Sequence, residues 1–172
     1  LTDNSGGRGL YIDSNGAILI RNKYGLLASG NGAEGIYAQN LFASTPADVK
    51  LYKVQANKNE GISGLYIFAS RNIYGSDLSA VENNGYGAYL FATNAITLAS
   101  SSTFKENGEN GLYMEAVYGD INASNVVSSD NTKRGIYAEA ENGKIILKNA
   151  TANFNGHTGV YLYAPKNTVY VD

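Results

Sequence analysis

The chain has 172 residues, of which 44% are apolar and 20 are glycine, and its net charge is −2. It has no cysteine, which excludes disulfides and thiolate metal sites, and its weak negative charge offers no electrostatic footprint for nucleic acid. No apolar segment approaches the ~20 residues that a membrane helix needs, so we expect no membrane insertion.

A glycine followed by an apolar residue and a tyrosine occurs seven times, from Gly9-Leu10-Tyr11 to Gly159-Val160-Tyr161. Successive glycines lie roughly 23 to 29 residues apart, and a period in the twenties along the whole chain predicts a solenoid of about seven coils. The repeat leaves no room for a second domain. Residues 1–172 are therefore predicted to form a single β-solenoid domain, either a processed chain or a segment of a longer fibre.

In the strand that begins at each glycine, apolar residues alternate with tyrosine and with mostly polar or aromatic residues. In the fifth copy, Leu112, Met114 and Ala116 alternate with Tyr113 and Glu115. A shift by one residue would bury carboxylates, so the apolar positions are predicted to face inward and the tyrosines outward. The predicted outward aromatic ladder comprises Tyr11, Tyr37, Tyr66, Phe68, Tyr89, Phe91, Tyr113, Tyr137, Tyr161 and Tyr163.

Two further short strands follow in each coil after polar turns. Ile121 and Ala123 fit the inward positions of one second strand, and Val126 and Ser128 fit those of the third strand after it. Three strands and three turns per ~24 residues predict an all-β fold. This fold is a single parallel β-helix in which each strand pairs with the same strand one coil away, at ~4.8 Å.

An asparagine lies four or five residues before each repeat glycine, in the turn that closes the coil. Asparagine tolerates a left-handed backbone and bonds its own turn, and stacked carboxamides can hydrogen-bond from coil to coil. We therefore predict a structural asparagine ladder formed by Asn4, Asn31, Asn59, Asn83, Asn107, Asn131 and Asn155.

The G-L-Y-x-x-A strand, the x-G-x-I-x-L strand and the asparagine turn resemble those of right-handed parallel β-helices of the pectin-lyase-like type. The closer likeness is to the repetitive stalks of filamentous-haemagglutinin-like bacterial surface and adhesin proteins. The resemblance covers the whole chain and implies right-handed coils and an extracellular or cell-surface location. Proteins of this architecture include polysaccharide lyases and hydrolases, phage tailspikes and passive fibres, so the fold alone does not choose a function.

Candidate catalytic residues are few. Polysaccharide lyases of this type carry long loops with acidic calcium ligands, as the resemblance implies, whereas the insertion at residues 44–48 brings one acid. Glu115 and Glu139 are predicted outward neighbours ~5 Å apart, either a glycosidase-like pair or a solvated acidic edge with a loosely bound cation. His157, the only histidine, falls in a turn. We predict no catalytic residue, no cofactor and no metal site.

The aromatic ladder indicates an interaction surface where Phe68 and Phe91 flank Tyr66 and Tyr89. Such a patch can stack on surface glycans, on a sister molecule or on a later segment of the same polypeptide. The alternative is that the rings only cover and stabilise the sheet.

The two ends of the chain are predicted to lack caps. Val169 and Val171 fit inward positions of a second strand, and Leu1 lies near the end of a third strand. Uncapped sheet edges invite pairing, so we expect Leu1, Val169, Tyr170 and Val171 to contact copies of the chain head to tail, or further repeats of the same polypeptide. The predicted function is a structural subunit or stalk of an extracellular fibre or adhesin. The alternative is a carbohydrate-binding or polysaccharide-degrading β-helix that uses the Tyr/Phe face and acidic residues.

Overall fold

The computed structural model describes residues 1–172 as fifteen β-strands. It contains no helix that is long and apolar enough to cross a membrane. One face of the molecule is built from β1 (Leu10–Asp13), β3 (Ile36–Gln39), β5 (Ser63–Ala69), β7 (Tyr86–Ala92), β10 (Leu112–Ala116), β12 (Ile136–Ala140) and β14 (Val160–Tyr163). The other face is built from β2 (Ile18–Ser29), β4 (Val49–Asn57), β6 (Ile73–Val81), β8 (Ile96–Ala99), β9 (Ser102–Lys105), β11 (Ile121–Ser129), β13 (Ile145–Thr151) and β15 (Val169–Val171).

Every strand pairs in parallel with its counterparts in the adjacent coils. The first face is a seven-stranded sheet in the order β1-β3-β5-β7-β10-β12-β14, which we call the tyrosine sheet. The second, eight-stranded sheet has the order β15-β13-β11-β8-β6-β4-β2, with β9 beside β11 and β6, and we call it the corner sheet. The predicted all-β parallel solenoid of about seven coils is confirmed.

The predicted second and third strands of most coils are joined into one bent strand of the corner sheet, which differs from the three separate strands expected. Single left-handed residues make the bend, with φ of 54° at Lys53, 54° at Asp77, 56° at Asn125 and 48° at Asn149. One such residue turns the chain without interrupting the ladder of hydrogen bonds on either side. Only β8 and β9 stay separate, on either side of Ser100.

The core is a column between the two sheets in which equivalent side chains stack from coil to coil. It contains 32 buried apolar residues, among them Ile36 and Leu112 from the tyrosine sheet and Ile121 from the corner sheet. Burial of such a side chain contributes ~1.5–3 kcal/mol. The inward positions are as predicted, and those of the first and last coils, such as Leu10 and Leu162, are only partly buried because a coil covers them on one side alone.

Close approach of the next coil explains the repeat glycine. A Cβ added at Gly64 would lie 2.6 Å from the carboxamide nitrogen of Asn83, and one at Gly35 would lie 2.6 Å from that of Asn59. The space that a side chain would need is thus taken by the asparagine ladder. The repeat glycine is therefore needed because the asparagine of the following coil packs directly against it.

Candidate functional site

The outer face of the tyrosine sheet carries the predicted aromatic ladder. The seven repeat tyrosines lie in register from Tyr11 to Tyr161, each opposite the tyrosine of the next coil. In the interior coils these rings are half-buried against one another, whereas Tyr11 in the first coil is 53% exposed. Tyr163 extends the outward face in the last coil, beside Glu139. The register and the outward orientation are as predicted.

Toward the C-terminal end the tyrosine rings stack face to face, and we call this part the stacked region. Ring centroids lie 4.6 Å apart for Tyr89 and Tyr113, 4.5 Å for Tyr113 and Tyr137, and 5.1 Å for Tyr137 and Tyr161. The ring planes agree within 10°. The hydroxyl of Tyr137 donates to Oε2 of Glu139 at 2.6 Å, which fixes the ring's direction. Each ring face is covered by the next ring, so edges and hydroxyls point outward.

In the middle coils the rings pack edge to face, and we call this part the edge-to-face region. The rings of Tyr66 and Phe68 lie 4.7 Å apart at 84°, and those of Tyr66 and Tyr89 lie 5.2 Å apart at 63°. Phe68 and Phe91 are 6.1 Å apart at 42°. Phe68 offers no acceptor for the phenol of Tyr66 and fills the space beside it, and Tyr66 tilts, whereas Tyr89 beside Phe91 stays parallel to Tyr113. Rings at such angles cannot all face along the rod axis, and part of the aromatic surface is directed away from the stack.

Three side chains that the sequence analysis did not identify border the ladder. The guanidinium of Arg8 lies 4.7 Å from the ring centroid of Tyr37, and that of Arg134 lies 5.2 Å from that of Tyr161. Tyr86 packs edge-on against two ladder rings at 5.6 and 5.8 Å. All three residues directly precede a repeat glycine. This position varies in chemistry from coil to coil, so it carries no repeat signal.

Tyr86 also lines an open depression of about 490 Å³ at the edge of the tyrosine sheet. Its other lining side chains include Glu60, Ile62, Glu109 and Lys133. The ammonium of Lys133 lies 2.6 Å from a carboxylate oxygen of Glu109, so these two charges neutralise each other. The depression is therefore a shallow surface of mixed polarity beside the ladder.

The environment of the stacked region keeps its phenols neutral. Burial, reinforced by the Glu115 carboxylate, raises the pKa of Tyr89 to about 12. Burial also raises the pKa of Tyr113, and together with Glu139 it raises the pKa of Tyr137 to about 12. Glu115 and Glu139 are neighbours in register, and burial followed by the Glu139 charge raises the pKa of the Glu115 carboxyl. The predicted acidic pair is thus adjacent, on the flat outer face of the sheet.

The asparagine ladder is hydrogen-bonded along its whole length. From Asn4 to Asn155, each carboxamide nitrogen donates to the carboxamide oxygen of the next coil at 2.7–3.0 Å. Asn107 shows the full pattern, because its Nδ2 also donates to the Ala80 carbonyl at 3.1 Å and its backbone N–H to Asn131 Oδ1 at 3.1 Å. The residue before each asparagine of the ladder has a positive φ. These contacts serve the turns and link the coils.

The other polar candidates from the sequence take structural positions. Asp48, in the predicted insertion, accepts hydrogen bonds from Arg71 at 2.7 and 2.8 Å and from Asn72 at 3.0 Å. The bond from Arg71 is the main cause that lowers the pKa of this carboxyl. His157 is exposed in a turn, and its backbone N–H donates to the Lys133 carbonyl at 2.9 Å. No group of three or more His, Cys, Asp or Glu side chains is arranged to hold a metal ion.

The residues predicted to mediate assembly lie at the two ends of the solenoid. Val169 and Val171 occupy inward positions of β15 and are 40% and 62% exposed, and Tyr170 points outward between them. Leu1 is half-exposed at the opposite end, where its carbonyl accepts a hydrogen bond from the corner sheet. The contacts expected of these residues involve partners, and they stay predictions.

The chain matches the model of a known family. The NosD family, described as "Periplasmic copper-binding protein (NosD)", matches residues 11–172. Since this match covers nearly the whole chain, the chain belongs to the NosD family. No curated protein and no solved structure matches the chain. The family and the parallel solenoid together support the right-handed β-helix that the sequence predicted.

Proposed function

We propose that this chain is a structural rod of the bacterial cell envelope, a subunit or stalk segment of an extracellular fibre or adhesin. The observation that carries the proposal is the continuous register: every tyrosine-sheet strand from β1 to β14 pairs with its equivalent, and the asparagine ladder runs equally far. The backbone pairing of the tyrosine sheet and the hydrogen bonds of the asparagine ladder join each coil to the next, so the coils form a stiff spacer. The family description, which names the periplasm, supports a location outside the cytoplasm.

The exposed sheet edges at the two ends support extension of the rod along its axis. In β15, Val169 and Val171 point inward yet remain exposed, since no strand covers them on the outer side. A further parallel strand would pair with the open backbone groups of this edge and cover both valines. We propose that further coils of the same polypeptide or a second copy of the chain supply that strand.

The geometry of the acidic pair supports a non-catalytic role for this chain. Glu115 and Glu139 accept hydrogen bonds from the phenols of Tyr113 and Tyr137 in their own coils, at 3.4 and 2.6 Å. These bonds direct the carboxylates onto the ring stack. Neither carboxylate lines any of the three depressions of the surface, so no recess would hold a sugar between the two groups.

Copper is named in the family description, and the donor atoms of this chain do not fit a copper site. The protein ligands that favour copper are chiefly imidazole, thiolate and thioether groups. The chain has one histidine, no cysteine and one methionine. Met114 is completely buried in the core, and His157 lies in an exposed turn two coils away. The proposed function therefore involves no copper chemistry.

Glycan binding on the aromatic face is the second candidate, and the edge-to-face region is the observation that favours it. Sugars stack on ring faces, which the stacked region covers and the edge-to-face region leaves partly open. If Phe68 and Phe91 bind glycan, changing both to Ser will weaken retention on immobilised polysaccharide while unfolding stays cooperative. Retention equal to that of the unchanged chain would mean that the rings only cover the sheet.

The rod proposal is tested by electron microscopy of the native protein and by sedimentation of the purified chain at increasing concentration. We expect extended fibres in the native material and concentration-dependent growth along the axis for the chain. Changing Val169 and Val171 to Lys should abolish that growth, and Lys166→Gln is the matched control on the same end. Compact particles in the native protein, without any rod-like extension, would contradict the proposal.

A further inference from the structure

The first coil has an enlarged corner that the other coils lack. Where β4 turns on the single residue Lys53, β2 has the four-residue loop 22–25, and the register between β2 and β4 shifts between Arg21 and Leu26. The backbone N–H of Tyr24 donates to Asn22 Oδ1 at 2.9 Å, and Gly25 has a φ of 93°. The neighbouring coils turn with one residue, so the added loop is not needed for the coil's own pairing.

The tip of this loop presents an aromatic ring beside positive charge. Tyr24 is 87% exposed, and the ammonium of Lys23 lies 5.2 Å from its ring centroid. Leu19, on the outer face of the same strand, is also exposed. Three other aromatic side chains are more than 60% exposed without a Lys or Arg next to them in the sequence: Phe42, Tyr118 and Phe154.

Below the loop, the cations line a surface cleft of about 480 Å³. Arg21, Lys23 and Lys53 contribute to its walls together with Asn22, Tyr52 and one carboxylate, that of Asp77. The five ion pairs of the chain involve none of these charged residues. The cleft thus carries three unpaired cations and one carboxylate, although the net charge of the whole chain is −2. The cleft therefore attracts anions although the molecule as a whole does not.

We propose that this loop and cleft, which we call the basic corner, bind the phosphate-rich surface of an anionic lipid membrane. Lys and Arg side chains near such a surface are attracted by its negative potential, and aromatic side chains settle at the level of the headgroups. A soluble polyanion would satisfy the cations of the cleft and would leave Tyr24 and Leu19 in water. A membrane surface binds the cations and also takes up the two exposed side chains. Tyr24 and Leu19 therefore favour a membrane over a soluble polyanion.

The basic corner goes beyond the rod proposal because it attaches one end of the solenoid to a surface. The attachment is peripheral: the loop is four residues long, and only Tyr24 and Leu19 would enter the headgroup layer. Most of the attraction is electrostatic. We therefore expect membrane binding to weaken steeply as added salt shortens the screening length, which is ~8 Å at physiological ionic strength.

The test is co-sedimentation of the purified chain with vesicles of phosphatidylglycerol mixed with phosphatidylcholine, and with vesicles of phosphatidylcholine alone. Binding is expected to the first vesicles only, and to fall with added salt. Arg21→Gln combined with Lys53→Asn should weaken binding by about 25-fold, at about five-fold per cation. Asparagine is chosen at position 53 because Asn125 and Asn149 hold the same left-handed corner in later coils.

Matched variants separate this surface from general charge and exposure. Lys144→Gln with Lys148→Gln removes two exposed cations at the other end of the corner sheet, and Tyr118→Ser removes an exposed tyrosine elsewhere; both should bind as the unchanged chain does. Tyr24→Ser should weaken binding less than the loss of the two cations. Circular dichroism and melting temperature should be unchanged in every variant.

Three results would overturn the proposal: equal sedimentation with both kinds of vesicle, unchanged binding of the Arg21/Lys53 variant, or an equal loss in the Lys144/Lys148 variant. Binding of soluble polyphosphate without binding of vesicles would also overturn it, in favour of a soluble anionic partner. None of these results bears on fibre formation, which the valine variants at the opposite end test separately.

Discussion

The asparagine ladder and the tyrosine ladder repeat with the same period, yet they respond differently to changes in the coils. The asparagines keep one hydrogen-bond pattern from end to end, with Nδ2 to Oδ1 distances of 2.7–3.0 Å. The tyrosines change from edge-to-face packing near Phe68 to parallel stacking near Glu139. The tyrosines lie on the strands of the tyrosine sheet and the asparagines in the turns before them, and both backbones repeat in register, so the backbone repeat is not the cause of the difference.

Burial is the cause. Asn59, Asn83, Asn107 and Asn131 are buried, and a buried carboxamide must find partners for its donors and acceptor, which one arrangement alone provides here. The outer rings can exchange protein contacts for water, so their packing can change with the side chains beside them. The interior of a solenoid therefore enforces uniformity, and its surface is where coils can differ at little cost.

The largest expected effect comes from adding a methyl group where the interior is uniform. In Gly64→Ala the new Cβ would meet Asn83 Nδ2 at 2.6 Å and the Ala56 carbonyl at 2.8 Å, so adjacent coils must separate. We expect a loss of about 3 kcal/mol in the free energy of unfolding, measured in urea. Gly16→Ala is the control, since nothing lies within 4 Å of its added Cβ. Equal stability of the two variants would mean that the asparagine ladder does not require the glycine.

A slightly smaller loss is expected when the buried ladder is interrupted. Asn107→Ala leaves the N–H of Asn83 and the Ala80 carbonyl without their partner, and we expect a loss of about 2 kcal/mol. Asn155→Ala, in the partly exposed last coil, should cost less than half as much because water replaces the lost bonds. Urea unfolding of both variants measures the contrast. Identical losses would show that burial does not distinguish these positions.

Exchanging the neighbours of the tyrosines should convert one region of the outer ladder into the other. Phe68→Glu gives Tyr66 a carboxylate acceptor and should favour parallel stacking, whereas Glu115→Phe removes the acceptor of Tyr113 and should loosen its stack. Each change should alter stability by only about 1 kcal/mol, the scale of one aromatic pair. The near-ultraviolet circular dichroism of the coupled phenols should change in opposite directions in the two variants. Spectra that do not change would contradict control by this neighbour.

A pH-dependent effect tests the environment of the phenols in the stacked region. The pKa of Tyr89 and of Tyr137 is raised to about 12 in the folded chain, above the ordinary value of ~10 that applies once the chain unfolds. The stabilisation from the neutral phenols is therefore complete below pH ~10 and is lost as the pH rises toward 12. Phenolate absorbance and urea unfolding between pH 9 and pH ~12 measure this loss, and Tyr137→Phe should reduce it. A Tyr137→Phe variant with the same pH dependence as the unchanged chain would contradict the assignment.

The sequence predicts those parts of the molecule that every coil must repeat. The alternation around Tyr113 and the spacing of the asparagines predict the register, the core positions and the coil number. Any other register would bury carboxylates or leave carboxamides without hydrogen-bond partners. Positions that vary between coils give no such signal. The contacts of Tyr86, Arg8 and Arg134 with the tyrosine ladder could therefore not be predicted. The added residues before Gly25 lengthen the first repeat in the sequence, but only the folded chain shows which side chains they bring beside Lys53.

The carboxamides of the asparagine ladder all point the same way. Each Oδ1 is directed toward the preceding coil and each Nδ2 toward the following one, from Asn4 to Asn155. Aligned amide dipoles add along an axis, as they do in a helix. The solenoid therefore carries an electrical direction, negative toward its first coil and positive toward its last. Two such rods can continue this column of dipoles only when the last coil of one meets the first coil of the next, so any fibre they build is polar.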